Sequence, residues 1–382
     1  MNEQTEHHGV NARQICFFAA FLLPTLKLLD APAILAKAAG NDLLFPVFLQ
    51  YLAQSIPILC LLIVKAKTGQ GPFSLVKERF GTIAHKIVLV LYAAFFLFYA
   101  LRPLLDLEKF SYAAFYDTAS SAFVFAPFFF LCAYLCSKSL STLGRLADVC
   151  LPIFLVSFVL LFFLGISSAD FAALLPFFGN PIADSFSGFY ESIPLFFDAA
   201  LFIPLIERMP YRKKDGVKII SSYWIGGAFV LLFTALFYGT YTSIAQREHF
   251  AIAKIAQYFP ALDVIGRIDL IFVYLLVIVL FFATCVPCVH CVDSLFNAFP
   301  LKTRVPFAAV LNLALLTFTF FFNKRYNAVV NLIKSLTPIF LVFSTLLPVL
   351  SLLFLIKTTK NKGAGKRFSE NLPKNKEVRL EN

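Results

Sequence analysis

Long apolar runs recur along the whole chain, and each is close to the length that crosses a bilayer. They lie at 15–36, 43–65, 86–107, 120–137, 148–166, 189–207, 219–243, 267–291, 305–322 and 336–356. A helix needs about 20 mostly apolar residues to span the hydrocarbon core. The runs are continuous rather than alternating, which specifies helices and argues against a β-barrel. Hydrophobic residues make up 59% of the chain and charged ones 14%, a balance no soluble core requires. The expected fold class is therefore an all-α integral membrane protein of ten transmembrane helices. A polar tail, 1–14, precedes a membrane domain, 15–356, and a basic tail, 357–382, follows it. Met1–Arg13 is polar and no small-residue cleavage site follows, so no cleavable signal peptide is expected.

The net charge of +11 does not point to nucleic acid. Most of the 33 lysines and arginines fall in the connections on one side of the alternating spans, together with both tails. That asymmetry places both termini in the cytoplasm and requires an even number of spans. The basic tail from Lys357 onward reads as an anchor beside anionic headgroups.

The first run is not a plain span. It carries Pro24, Lys27, Asp30 and Pro32 near its middle. Each proline removes a backbone donor and clashes with the preceding turn, so the helix is expected to break. A lysine at this depth costs at least about 2.5 kcal/mol and needs a partner or a wet cavity. Asp30, three residues on, could share its face if the segment is helical there. The sixth run has the same character, with Glu191, Pro194, Asp198 and Pro204. A pair of interrupted helices at matching places in two halves marks a transporter binding site at the midplane. Five helices per half is an odd number, which makes the repeat inverted. The run Pro-Ile-Phe-Leu-Val occurs at both 152–156 and 338–342, in the fifth helix of each half. Broken helices present backbone donors and dipole ends to a ligand. We expect a lysine–carboxylate bridge from Lys27 to Asp198, across the two interrupted helices.

Other polar residues sit inside the spans. Gln50 and Gln54, one turn apart, are expected to bond to neighbouring helices. Tyr92 and Tyr99 can share one face of the third span, with Arg102, Asp106 and Glu108 at its far end. The loop 66–85 is expected to hold a short amphipathic piece near Phe73–Phe80, and 246–267 a surface helix ended by Pro260. All eight cysteines fall within the spans, which excludes a framework of extracellular disulfides. Cys285, Cys288, His290 and Cys291 resemble a metal cluster but lack the second ligand pair of a structural zinc site. No phosphate loop, dinucleotide fingerprint or nucleophile elbow is present, and no cofactor is expected.

Several segments, taken in order, resemble the spore germination permeases, the B-type subunits of nutrient germinant receptors within the amino acid–polyamine–organocation superfamily. They are Asn11–Gln14, the first span with Ala31–Pro32, Gly144–Pro152, Leu174–Gly188 and Gly266–Asp269. The resemblance implies a ten-helix LeuT-like inverted repeat in the inner spore membrane. It implies recognition of a small nutrient, often an amino acid, and assembly with an A-type and a C-type subunit. By position, the implied ligand site takes in Thr25, Lys27, Leu28 and Asp30 from the first helix. Phe197, Asp198 and Ala199 come from the sixth, with Tyr99 from the third. Leu26-Lys27-Leu28 stands where family members tend to carry a small, glycine-containing turn. The expected function is a non-enzymatic nutrient sensor or permease. The rivals are a proton-coupled amino-acid transporter working alone and a membrane redox protein built on Cys285–Cys291.

Overall fold

A computed structural model describes residues 9–115, 121–257, 269–322 and 325–370. The helices, in order, are α1 (Ala12–Leu28), α2 (Ala31–Ala39), α3 (Leu44–Thr68), α4 (Pro72–Phe115), α5 (Ser121–Ser137), α6 (Leu140–Ile166) and α7 (Ile182–Ser192). They continue with α8 (Asp198–Arg208), α9 (Asp215–Tyr241), α10 (Ala251–Gln257), α11 (Asp269–Ala298), α12 (Val305–Phe322) and α13 (Tyr326–Glu370). No strand occurs among the described residues.

Among the described residues, seven helices are long and apolar enough to cross a membrane, and two bent pairs raise the figure to at most nine. The fourth expected span, 120–137, corresponds to α5, Ser121–Ser137. Large apolar side chains on the peripheral helices stay exposed, among them Phe130 at 79% and Val310 at 69%, as a lipid-facing surface requires. Helix α8 lies at the opposite extreme: Ala199 through Ile203 are fully buried.

The bent pairs are the first and sixth expected spans. In the first, α1 and α2 meet at 63°. A π turn at Phe18–Leu22 precedes Pro24, which cannot donate a bond to the turn before it. Helical register is lost at Leu29 and Asp30, just ahead of Pro32. The carbonyl of Leu29, left without its usual donor, accepts from Ala251 N of α10 at 2.9 Å. In the sixth, α7 and α8 meet at 41°. A 3-10 turn over Ile193–Leu195 contains Pro194, and Phe196 and Phe197 leave helical geometry before α8 restarts at Asp198.

The expected amphipathic piece is the first part of α4. Gly81 separates it from the third span, with φ 81°, ψ 179°, a conformation open to glycine and strained for other residues. The Glu207 carboxylate, at the end of α8, accepts from Phe73 N at 2.9 Å and Ser74 N at 3.1 Å, so it caps the start of α4. Lys65 of α3 donates to the Glu207 carbonyl at 2.9 Å. Glu207→Ala is expected to cost about 1–2 kcal/mol, the usual worth of such a cap. An unchanged melting midpoint in detergent would remove it from this role.

Two expectations on connecting segments are refined. The tenth span begins earlier than 336, because α13 is already helical at Tyr326; the span runs over Tyr326–Leu355, and the helix itself continues to Glu370. The surface helix after the seventh span is α10, over Ala251–Gln257; Pro260, its expected end, lies outside the described residues.

Candidate functional site

The two breaks face each other at the centre of the bundle. Lys27 Nζ lies 2.8 Å from Asp198 Oδ1, and the side chains are 1% and 0% exposed. The ammonium has few other contacts: the Leu23 carbonyl at 3.5 Å and the faces of Phe196 and Tyr51, with ring centroids at 5.0 and 5.8 Å. The other oxygen of Asp198 accepts from the Tyr223 hydroxyl of α9 at 2.8 Å. Asp198 also opens α8, where the positive end of the helix dipole favours a carboxylate. A buried pair survives when its remaining lone pairs are also bonded, and here Tyr223 supplies that bond.

The rest of the break is held by α3 and α13. Gln54 Oε1 accepts from Ala199 N at 3.1 Å and from the Ser344 hydroxyl at 3.2 Å. Gln50 donates to the Phe189 carbonyl at 2.7 Å and to Ser192 Oγ at 3.0 Å. The two amides expected to join neighbouring helices thus fasten both halves of the sixth span.

The expected site residues divide into two groups. Thr25, Lys27, Leu28, Phe197, Asp198 and Ala199 are all buried at the crossing. Their polar groups are occupied by the chain itself: Thr25 Oγ1 donates to the Phe21 carbonyl of its own helix at 2.8 Å. Tyr99 is also buried, stacked on Phe95 and set edge-on to Phe197 at 6.0 Å. Asp30 does not join Lys27. It lines a cavity of about 510 Å³ on the face opposite the N-terminus, with Lys37, Arg102, Glu191, His249 and Tyr326. A crevice of about 20 Å³, walled by Leu29, Tyr99, Arg102, Asp106 and Leu195, lies between Arg102 and the two breaks.

The face bearing the N-terminus is tied shut by ions. Asp293 of α11 holds Arg208 at 2.7 Å and Arg304 at 2.8 Å. Asn297 donates to its second oxygen at 3.1 Å. Arg13 and Gln14 reach Asp148 of α6 at 3.3 and 3.2 Å.

Sequence reasoning missed Tyr223, Arg102 and Asp293 as parts of these networks. Tyr223 sits in an unremarked apolar span, and its role depends on how α9 packs. The cysteine reading also changes shape. Cys132 and Cys136 of α5 come within 3.9 Å of each other, and Cys132 also neighbours Cys285 and Cys288. The His290 ring packs on Phe96 at 5.3 Å. Among the described residues, no three His, Cys, Asp or Glu side chains converge as a metal site requires.

A multi-pass helical bundle in which two broken helices cross at a buried ion pair is the arrangement of the LeuT fold. A substrate-bound, outward-open Na+-coupled sialic acid symporter is similar in fold. Its TM-score is 0.51 at 12% identity, covering 86% of this chain and 78% of that one. Mhp1 in its inward-facing conformation gives a TM-score of 0.41 at 14% identity over 86% of this chain and 76% of that one. No curated protein matches the sequence. The model of one family, described as spore germination protein, matches residues 10–329, and the chain belongs to that family.

Proposed function

We propose that this permease is the nutrient-sensing B-type subunit of a spore germinant receptor. It would sit in the inner spore membrane with both termini cytoplasmic, residues 1–14 and 357–382 flanking the membrane domain 15–356. The ligand is a small nutrient, an amino acid, received from the face opposite the N-terminus. The observation that carries the reading is the cavity lined by Asp30 of the first break and by Arg102, a residue that also lines a small crevice against Leu29 and Leu195 of the two breaks. Membership of the spore germination family supports it. Binding there biases the relative tilt of the broken helices, and A-type and C-type partner subunits read that bias. A ligand shifts such an equilibrium only by its differential affinity for the two states.

Spores lacking this chain are expected to lose their germination response to at least one amino acid. A response unchanged across all twenty would sink the sensing role. The isolated chain in liposomes is expected to give no concentrative uptake; robust uptake driven by a proton gradient would favour a transporter working alone.

A further inference from the structure

We infer that the cavity on the face opposite the N-terminus is a clamp for a zwitterion, with Asp30 taking the ammonium end and Arg102 the carboxylate end. The inference rests on the reading of this cavity as the ligand site, and it assigns the binding to residues outside the Lys27–Asp198 crossing.

Asp30 and Arg102 are 6% and 4% exposed, and both line the cavity. Buried charges at such positions are normally paired and fully hydrogen-bonded. Arg102 is paired with Asp106, but polar atoms of both Arg102 and Asp30 are left without a hydrogen bond. Asp30 Oδ1 meets no hydrogen-bond partner among the described residues, and neither does Arg102 Nη1. Arg102 Nε lies 3.5 Å from Asp106 Oδ2 without hydrogen-bond geometry. The other Asp106 oxygen is engaged by the Tyr326 hydroxyl at 2.6 Å, so Asp106 is held in place from the far side. No ion pair joins Asp30 to Arg102. Two opposite charges therefore line one cavity without an ion pair between them, each with an unused valence.

The other charges around the cavity do not fill those valences. Glu191 is paired with Lys334. Lys37 and His249 are exposed. A simple anion would engage Arg102 and leave Asp30 orphaned; a simple amine would do the reverse. A dipolar ligand satisfies both. The guanidinium fork matches a carboxylate with two parallel bonds, and a carboxylate accepts readily from an ammonium. Arg102 also lines a small crevice together with Leu29 and Leu195, one residue from each break, so the same side chain touches both the cavity and the breaks.

The test uses the full chain in lipid nanodiscs. Each of the twenty standard amino acids is screened by thermal shift, and the tightest binder is titrated by calorimetry. Two analogues follow: its amide, which keeps the ammonium, and its 2-hydroxy acid, which keeps the carboxylate. Wild type is expected to bind both analogues about tenfold to a hundredfold more weakly, the worth of one charge-assisted hydrogen bond. Arg102→Gln should weaken the amino acid by a similar factor while leaving the amide unchanged. Asp30→Asn should weaken the amino acid while leaving the hydroxy acid unchanged. If Arg102→Gln does not fold, Arg102→Lys keeps the charge and loses the fork, and the same comparison is made with it. Equal affinity of wild type for amino acid and amide overturns the clamp, as does discrimination that survives loss of the guanidinium. If no amino acid stabilises the folded chain, yet its deletion abolishes a nutrient response in spores, the clamp is wrong and the sensing role stands. If deletion leaves every response intact, the sensing role itself fails.

Discussion

Lys27→Met is expected to lower the stability of the purified chain by about 3–5 kcal/mol, the cost of leaving one member of a buried pair without its partner. The physical reason is the company Asp198 keeps. Its carboxylate is fully buried, and it would retain the Tyr223 hydroxyl and the α8 dipole but no cation. Methionine fills much of the lysine volume, so the loss reports charge rather than a cavity. The double variant Lys27→Met/Asp198→Asn should recover most of it, since replacing both members of a buried pair is close to neutral. Melting followed by size-exclusion fluorescence reads both. A single variant that melts with wild type would show that the pair contributes nothing to the crossing.

The second large effect is expected at the other end of the bundle. Asp293→Asn keeps the shape of the side chain but removes its charge, leaving Arg208 and Arg304 turned toward one another. Hydrogen bonds to charged groups are worth about 1.5–3 kcal/mol each, and the 27% exposure of Arg208 puts that bond at the low end. A total loss of about 3 kcal/mol is expected on the N-terminal face. It should show as faster hydrogen exchange in the last turns of α8 and α11, with α3 unaffected. Exchange that stays at wild-type rates in both turns would mean that other contacts hold this face closed.

The contrast between these two sites explains what could be read from the sequence. Pro24, Pro32 and Pro194 announce the breaks because they fall beside charges in mid-span, whereas prolines such as Pro57 and Pro152 stay inside continuous helices. Lys27 and Asp198 announce each other because an ion at membrane depth must find a counter-ion. Gln50 and Gln54 could be seen to bond outward, though not to which helix. Asp30 was harder. Its spacing from Lys27 suggested a shared face, but that rule holds only while helical register lasts, and register ends at Leu29. The break turns Asp30 out of the crossing and into the cavity. Arg102 lies near the end of the expected third span and Asp293 near the end of α11, where charge is ordinary, so nothing in composition marks them as parts of a network. Among the described residues, seven long helices and two bent pairs give at most nine spans, so the expected number of ten is not reached by helix length alone.

The bond from Ala251 N to the Leu29 carbonyl ties the kink of the first span to a short helix on the rim. A cation that sought that oxygen would share it with the amide that opens α10. Conversely, a nudge to α10 of a couple of ångströms would uncap the carbonyl. Hydration at mid-depth is thus geared to the posture of a surface element, without any side chain acting as messenger.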